Sequence, residues 1–304
     1  MVSDRFRRVV SGRFRQDGKL RSVTPLSNLH PIDAVFQRLR AQRRAAFIPF
    51  LTAGDPDLLF TAEALPALVQ AGADLIEVGF PFSDPIADGP VIQASYSRAL
   101  QRQLKLAQVF ETLREVTQSA HWSTPILGMV SYSLVYRRGC KIFVSAAQQA
   151  GVHGLIVPDL PVEEAQELAD ACQEYNCKLI LLITPTTTPQ RAERIVRLCS
   201  GFVYVVSVVG ITGSREELPP SLRALLARLR TLTDLPLCVG FGVSKPKHVQ
   251  ELGEIADGVI VGSALVRLLE GASLDRAGTL QNLQSLVYQL SQPLRVHTRS
   301  IPQR

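Results

Sequence analysis

Leu75-Ile76-Glu77-Val78-Gly79-Phe80 runs straight into Pro81-Phe82-Ser83-Asp84-Pro85-Ile86-Ala87-Asp88-Gly89-Pro90. The first six residues are apolar but for one carboxylate and one glycine. They are short, unalternating and closed by turn formers, as in a parallel strand covered on both faces. Similar runs occupy 46–51, 125–130, 154–157, 178–183, 202–206, 237–240 and 258–261. Between them, 61–70, 163–174, 190–198, 220–232 and 247–252 carry apolar residues at helical spacing. Eight strand–helix units in about 230 residues predict an α/β fold of the (β/α)8 TIM barrel type. An open doubly wound sheet is the alternative. The stretch 31–42 reads as an extra N-terminal helix that plugs the barrel bottom, and 265–290 as closing C-terminal helices.

The chain has 304 residues, 46% of them hydrophobic, which suits a globular protein rather than a disordered one. No apolar run reaches the roughly 18 residues of a membrane span, and no signal-peptide core is evident. The five cysteines are scattered without a Cys-x-x-Cys pair, so they read as buried thiols in a reducing compartment. The net charge is +6, but residues 1–30 carry a net +5 and residues 291–304 a net +3, which leaves the body at −2. We therefore expect a basic N-terminal extension (1–30), a catalytic barrel (31–290) and a basic C-terminal tail (291–304). A nucleic-acid binder would need a basic stripe on the body, and the body's balance speaks against it. The Arg- and Ser-bearing N-terminus reads as a solvated tail or as an organelle transit segment.

In such a barrel the chemistry gathers at the C-terminal strand ends. Glu77 is costly to bury unless it is paired or used. With period two it shares a face with Leu75 and Gly79, which should be the barrel interior. Asp88 lies in a loop stiffened by prolines and is free to fold back over the mouth. Two carboxylates in unlike environments can divide acid and base roles. The other reading is a hydrogen-bonded structural Glu77, with Asp84 and Asp88 as turn formers. Gly210-Ile211-Thr212-Gly213, Gly240-Phe241-Gly242 and Gly262-Ser263 end three successive strands, where backbone N–H groups can approach an anion. None of the six lysines falls on the C-terminal half of a strand, so a Schiff-base amine is missing. His121 and His153 precede strands, and no histidine cluster is placed to hold a catalytic metal. Carboxylate acid–base chemistry on a phosphorylated substrate remains. A barrel that only binds such a ligand as a regulatory subunit is the rival, but it would not need Glu77 with Asp88. The polar loop 210–218 reads as a lid.

The segment from Leu75 to Gln93 resembles the signature of the tryptophan synthase alpha chain family. Pro49-Phe50-Leu51-Thr52-Ala53-Gly54-Asp55-Pro56, Pro158-Asp159-Leu160-Pro161 and the three glycine-bearing ends resemble further family segments, in order, from about residue 33 to 270. The resemblance implies retro-aldol cleavage of indole-3-glycerol phosphate to indole and glyceraldehyde 3-phosphate, in the last steps of tryptophan biosynthesis. It implies catalytic roles for Glu77, which shuttles protons, and Asp88, which answers charge at the indole nitrogen. Phe50, Tyr204, Thr212 and Phe241 would contact substrate, with Thr212 meeting Asp88 when the lid closes. Gly213, Gly242, Gly262 and Ser263 would hold phosphate. No metal and no cofactor is implied in this chain. Pyridoxal phosphate would belong to a beta chain, the partner in an α2β2 heterotetramer. The expected location is the cytoplasm, or the plastid stroma if the source is an alga. One departure is Val130-Ser131-Tyr132-Ser133-Leu134, where Ser133 stands at the family's asparagine in a loop that faces the beta chain.

Overall fold

A computed structural model describes residues 29–85, 88–207, 220–240 and 242–296. The chain divides into Met1–His30, of which only the last two residues are described, and Pro31–Arg304. The second unit is built on nine strand segments: β1 (Ala46–Thr52), β2 (Ile76–Gly79), β3 (Ile126–Met129), β4 (Val152–Ile156), β5 (Lys178–Ile180), β6 (Leu182–Ile183), β7 (Val203–Val206), β8 (Leu237–Gly240) and β9 (Gly258–Val261). Their order is β5-β4-β3-β2-β1-β9-β8-β7-β6, and the pairings are parallel.

Two features make this a barrel rather than an open sheet. The first and last strands pair, Ala46 opposite Gly258 through Pro49 opposite Val261. The fifth run is shared between two neighbours. β5 pairs with β4, β6 pairs with β7, and the Tyr204 N–H donates to the Leu181 carbonyl between them at 3.2 Å. The ends of the sheet are thus joined through the chain itself.

The surrounding helices are α1 (Pro31–Ala41), α2 (Leu58–Ala71), α3 (Pro90–Gln101), α4 (Leu106–Thr117), α5 (Tyr132–Arg138), α6 (Cys140–Gln149), α7 (Gln166–Glu174), α8 (Pro189–Leu198), α9 (Pro220–Arg230), α10 (Pro246–Ile255), α11 (Ser263–Val266) and α12 (Arg276–Val296). The sequence reading assigned none of α3 to α6. In α3 the inward positions are Ile92, Ser95, Tyr96 and Ala99, so the apolar stripe is faint. α5 opens on serines and is held by a cap. The Ser131 side chain accepts from the Ser133 N–H at 3.3 Å.

Period two sends alternate β2 side chains to opposite faces. Phe80, just past its end, packs outward on Phe110 of α4, and Phe110 on Phe143 of α6, each pair 5.6 Å between centroids. α1 closes the bottom as expected. Its Ile32, Val35, Phe36 and Leu39 are buried. Ile32 packs over Gly154, Phe36 lies 5.8 Å from the Phe202 ring, and Asp33 pairs with Lys178 at 2.7 Å. Lys178 therefore points away from the mouth. His153 falls within β4 rather than before it, at the same N-terminal end.

The C-terminal boundary differs from the expectation. α12 continues through Val296, six residues into the stretch read as a tail. The reason is burial that local sequence does not display. Ser291 Oγ donates to the Ala71 carbonyl at 3.0 Å, Arg295 Nη2 to the Gly72 carbonyl at 3.3 Å, and Leu294 is buried over Gly253 of α10. Leu294→Ala should lower unfolding stability by about 2–4 kcal/mol in urea titrations. A midpoint equal to the wild type's would mean that residues 291–296 are a tail after all.

Candidate active site

Glu77 sits in the middle of β2, opposite Phe50 on β1 and Leu127 on β3. It is 1% exposed, and neither carboxylate oxygen has a hydrogen-bond partner among the described residues. A buried carboxyl group without such partners speaks against a hydrogen-bonded structural role. Burial, with the nearby Asp88 charge second, raises its pKa from 4.5 to about 8. The group is therefore a protonated acid at neutral pH.

Glu77 opens into a cavity of about 670 Å³, counted with its open mouth. Phe50, Ile92, Met129, Ile156, Leu182 and Ile260 give it apolar walls, while Asp88, Tyr204, Gly242, Gly262 and Ser263 supply its polar side. Asp88 is partly buried, and its pKa rises from 3.8 to about 7, first through burial and then through the charge of Asp159. Tyr204, on β7, is a buried hydroxyl held well above its usual pKa by burial and by Glu77 and Asp88. Gly79, two residues beyond Glu77, leaves room for the Phe50 ring and the Tyr96 hydroxyl. A Cβ there would overlap both.

The anion-binding expectation falls partly inside the described residues. Gly242 has φ +77°, the left-handed region that glycine adopts without strain. Gly262 precedes the short α11, and its carbonyl accepts from the Leu265 N–H at 2.8 Å. Gly242, Gly262 and Ser263 line one cavity, and no Lys or Arg is among its described lining residues. Thr212, Gly213, Phe241 and the 210–218 segment lie outside the described residues, as do Ile86 and Ala87. Asp84 is exposed, accepts from the Ser83 hydroxyl at 2.6 Å, and does not line the cavity.

Two residues escaped the sequence reading. Tyr96 on α3 is buried, and that burial, followed by the charges of Asp88 and Glu77, raises its pKa. Asp159 acts on Asp88 from the end of β4. Each stood in a quoted or neighbouring segment, but only folding brings them to the site. A larger cavity of about 1170 Å³ includes Arg38, Arg44, Asp74 and Arg295 in its lining. Its one carboxylate is already engaged by Arg44 at 2.6 and 2.8 Å and by the Phe47 N–H at 2.9 Å, at the opposite end of the strands.

A buried carboxyl group with a raised pKa, a second carboxylate on the same chamber and glycines at its rim make this the candidate active site of a barrel protein. The sequence profile of the tryptophan synthase alpha chain family matches residues 36–295. The alpha chain of Rhodopirellula baltica is 51% identical over 243 residues, 80% of this chain and 87% of that one. The Arabidopsis thaliana alpha chain is 44% identical, covering 81% and 89%. The crystal structure of the alpha subunit from Legionella pneumophila superposes with a TM-score of 0.80 at 33% identity, covering 88% of this chain and 99% of that one. The chain belongs to the tryptophan synthase alpha chain family, lyases that cleave indole-3-glycerol phosphate. An alpha chain implies a beta-chain partner. Among the described residues, no helix is long and apolar enough to cross a membrane, and no group of three His, Cys, Asp or Glu is arranged to hold a metal.

The Glu77 shift has a thermodynamic consequence. Between its ordinary pKa and about 8, the folded chain keeps a proton that the unfolded chain has released. Folding stability from this group therefore falls as pH rises through that window. Glu77→Gln removes the effect. In urea unfolding, the variant should gain on the wild type between pH 5 and 8, by on the order of a few kcal/mol. A difference that stays constant with pH would show that Glu77 titrates normally.

Proposed function

We propose that Glu77 and Asp88 carry the cleavage of indole-3-glycerol phosphate in this chain. The observation behind this reading is the buried Glu77 carboxyl group on the cavity wall, both oxygens free of hydrogen bonds among the described residues and the pKa near 8. Protonated Glu77 delivers its proton to indole C3, which leaves positive charge on the ring nitrogen. The ionised form of Asp88 stabilises that charge at the indole N–H. Glu77, now a carboxylate, takes the proton from the adjacent glycerol hydroxyl. The carbonyl of glyceraldehyde 3-phosphate forms, the C–C bond breaks, and its electron pair restores the aromatic indole. Glu77 ends protonated, so the step balances without an outside proton.

Phe50, Ile92, Met129 and Ile260 suit the flat indole ring, with Tyr204 beside it. Phe241 and Thr212 belong to the same reading as substrate contacts. Backbone N–H groups at Gly213, Gly242, Gly262 and Ser263 hold the phosphate in this scheme. The absence of Lys and Arg from the described cavity lining supports backbone rather than side-chain binding. The partner is a beta chain in an α2β2 assembly, and pyridoxal phosphate belongs to that chain. The exposed Tyr136 of α5 and Ile142 of α6 favour a docking face there. Bacterial and plant relatives fit a site of action in the cytoplasm, or in the plastid stroma of an alga.

Glu77→Gln should lower the rate of indole release by about 10²–10⁴-fold while the chain stays folded by circular dichroism. Wild-type turnover would overturn the assignment. Asp88→Ala should reduce kcat more than it raises KM, because the group answers charge that develops in the transition state. A change confined to KM would count against that role. Gly242→Val should raise KM for the phosphorylated substrate. Free indole, which lacks the phosphate, should bind the variant as it binds the wild type. Equal loss of both would point to backbone strain instead of lost phosphate contact.

A further inference from the structure

Asp159 follows β4 and is fixed on both oxygens. Ser131 Oγ donates to Oδ2 at 2.6 Å, and the Tyr132 N–H donates to Oδ1 at 2.8 Å. Those two donors are the cap and first residue of α5. On its other side, Asp159 shares a second cavity with Asp88, about 290 Å³ with its open mouth, whose lining also includes Tyr96, Ser131 and Pro158. A carboxylate held by two short hydrogen bonds cannot swing away, and its charge acts on Asp88. It is therefore a fixed negative charge facing Asp88.

We propose that Asp159 is a positioning residue: anchored by Ser131 and Tyr132, its carboxylate faces Asp88 across this cavity and ties that group to the start of α5. The inference rests on the reading of Asp88 as part of the reaction. Among the described residues, the groups facing Asp88 are Glu77 of β2, Tyr96 of α3, Tyr204 of β7 and Asp159. Glu77 is protonated at neutral pH, and the tyrosine hydroxyls are neutral. Asp159 is then the standing charge of the set, and it delays ionisation of Asp88 in the empty site. Positive charge on a bound ring has the opposite effect, so Asp88 ionises when that charge appears. α5 also carries Ser133 and the exposed Tyr136. A shift of the α5 start moves the two donors, hence Asp159, hence the proton affinity of Asp88.

The test uses the full chain and two readouts. Carbon-13 NMR of the side-chain carboxyls follows the titration of Asp88, assigned with Asp88→Asn. The pH profile of kcat for indole release follows catalysis. Asp159→Asn keeps the size and one acceptor but removes the charge. It should move the Asp88 midpoint down by about half a pH unit or more. Asp159→Glu, which keeps the charge, should restore much of the wild-type midpoint. Ser131→Ala removes one anchor and should move the midpoint in the same direction as Asp159→Asn. An Asp88 midpoint unchanged in a folded Asp159→Asn variant overturns the proposal, whatever its activity. If the midpoint moves and the kcat profile does not, Asp159 keeps its hold on Asp88. The assignment of Asp88 to the reaction then falls instead. A thermal midpoint for each variant separates unfolding from either outcome.

Discussion

The ring of parallel strands closes at Leu181, where one run of chain serves two neighbours. β5 bonds back to β4, β6 bonds on to β7, and the Leu181 carbonyl bridges the break by accepting from Tyr204. A parallel sheet left open here would present unpaired backbone groups along two edges. Closure also fixes which side chains converge. Phe50, Glu77, Met129, Ile156, Leu182, Tyr204 and Ile260 come from seven different strand segments, yet they line one chamber. The geometry of the candidate site is thus a consequence of hydrogen-bond register.

A closed, apolar interior is hostile to charge, and the chain turns that into chemistry. Glu77 receives no hydrogen bond from the described residues, so its ionised form is heavily penalised and its proton is held near neutral pH. The same burial lowers folding stability whenever that proton is lost. The strand tolerates this because its neighbours are mostly apolar and tightly packed. Phe80 outside, Phe50 beside and the plug of α1 below belong to one continuous core. Under the proposed function, stability and reactivity are coupled at a single residue, and the surrounding packing carries the cost.

Around Glu77 the acids are graded by environment rather than by type. Asp55 is as buried as Glu77, but Arg98 and Ser95 bond to it. It is a structural anchor between the loop after β1 and α3. Asp74 is bound by Arg44 and the Phe47 N–H and locks the bottom of β1. Asp57 caps α2 and accepts from Arg276 of α12. Asp88 alone of these described aspartates faces other acids and lines the chamber. Residue identity is the same in all four. Partners separate structural from reactive carboxylates.

Much of this was legible in the chain itself. The eight apolar runs marked the strands because parallel strands buried on both faces must be continuously apolar. Glu77 stood out because a carboxylate in such a run needs a reason, and its period-two phase already aimed it inward. The glycine-bearing strand ends pointed to an anion because small residues at a mouth let backbone approach a ligand. Other features were hidden. α3 lacks an apolar stripe because its inward face carries Ser95, bound to Asp55, and Tyr96, beside the site. The end of α12 is helical through contacts with Ala71 and Gly72, more than 200 residues away. Asp159 stood in a family-like segment after a strand, with no role attached to it. Its hold on Ser131 and Tyr132, and its place opposite Asp88, arise when β2, β3 and β4 come into register. Local pattern determined which segments are strands and which residue is costly, because those depend on neighbours along the chain. The tertiary structure decided which acids meet and which proton is held, because burial and charge act across space.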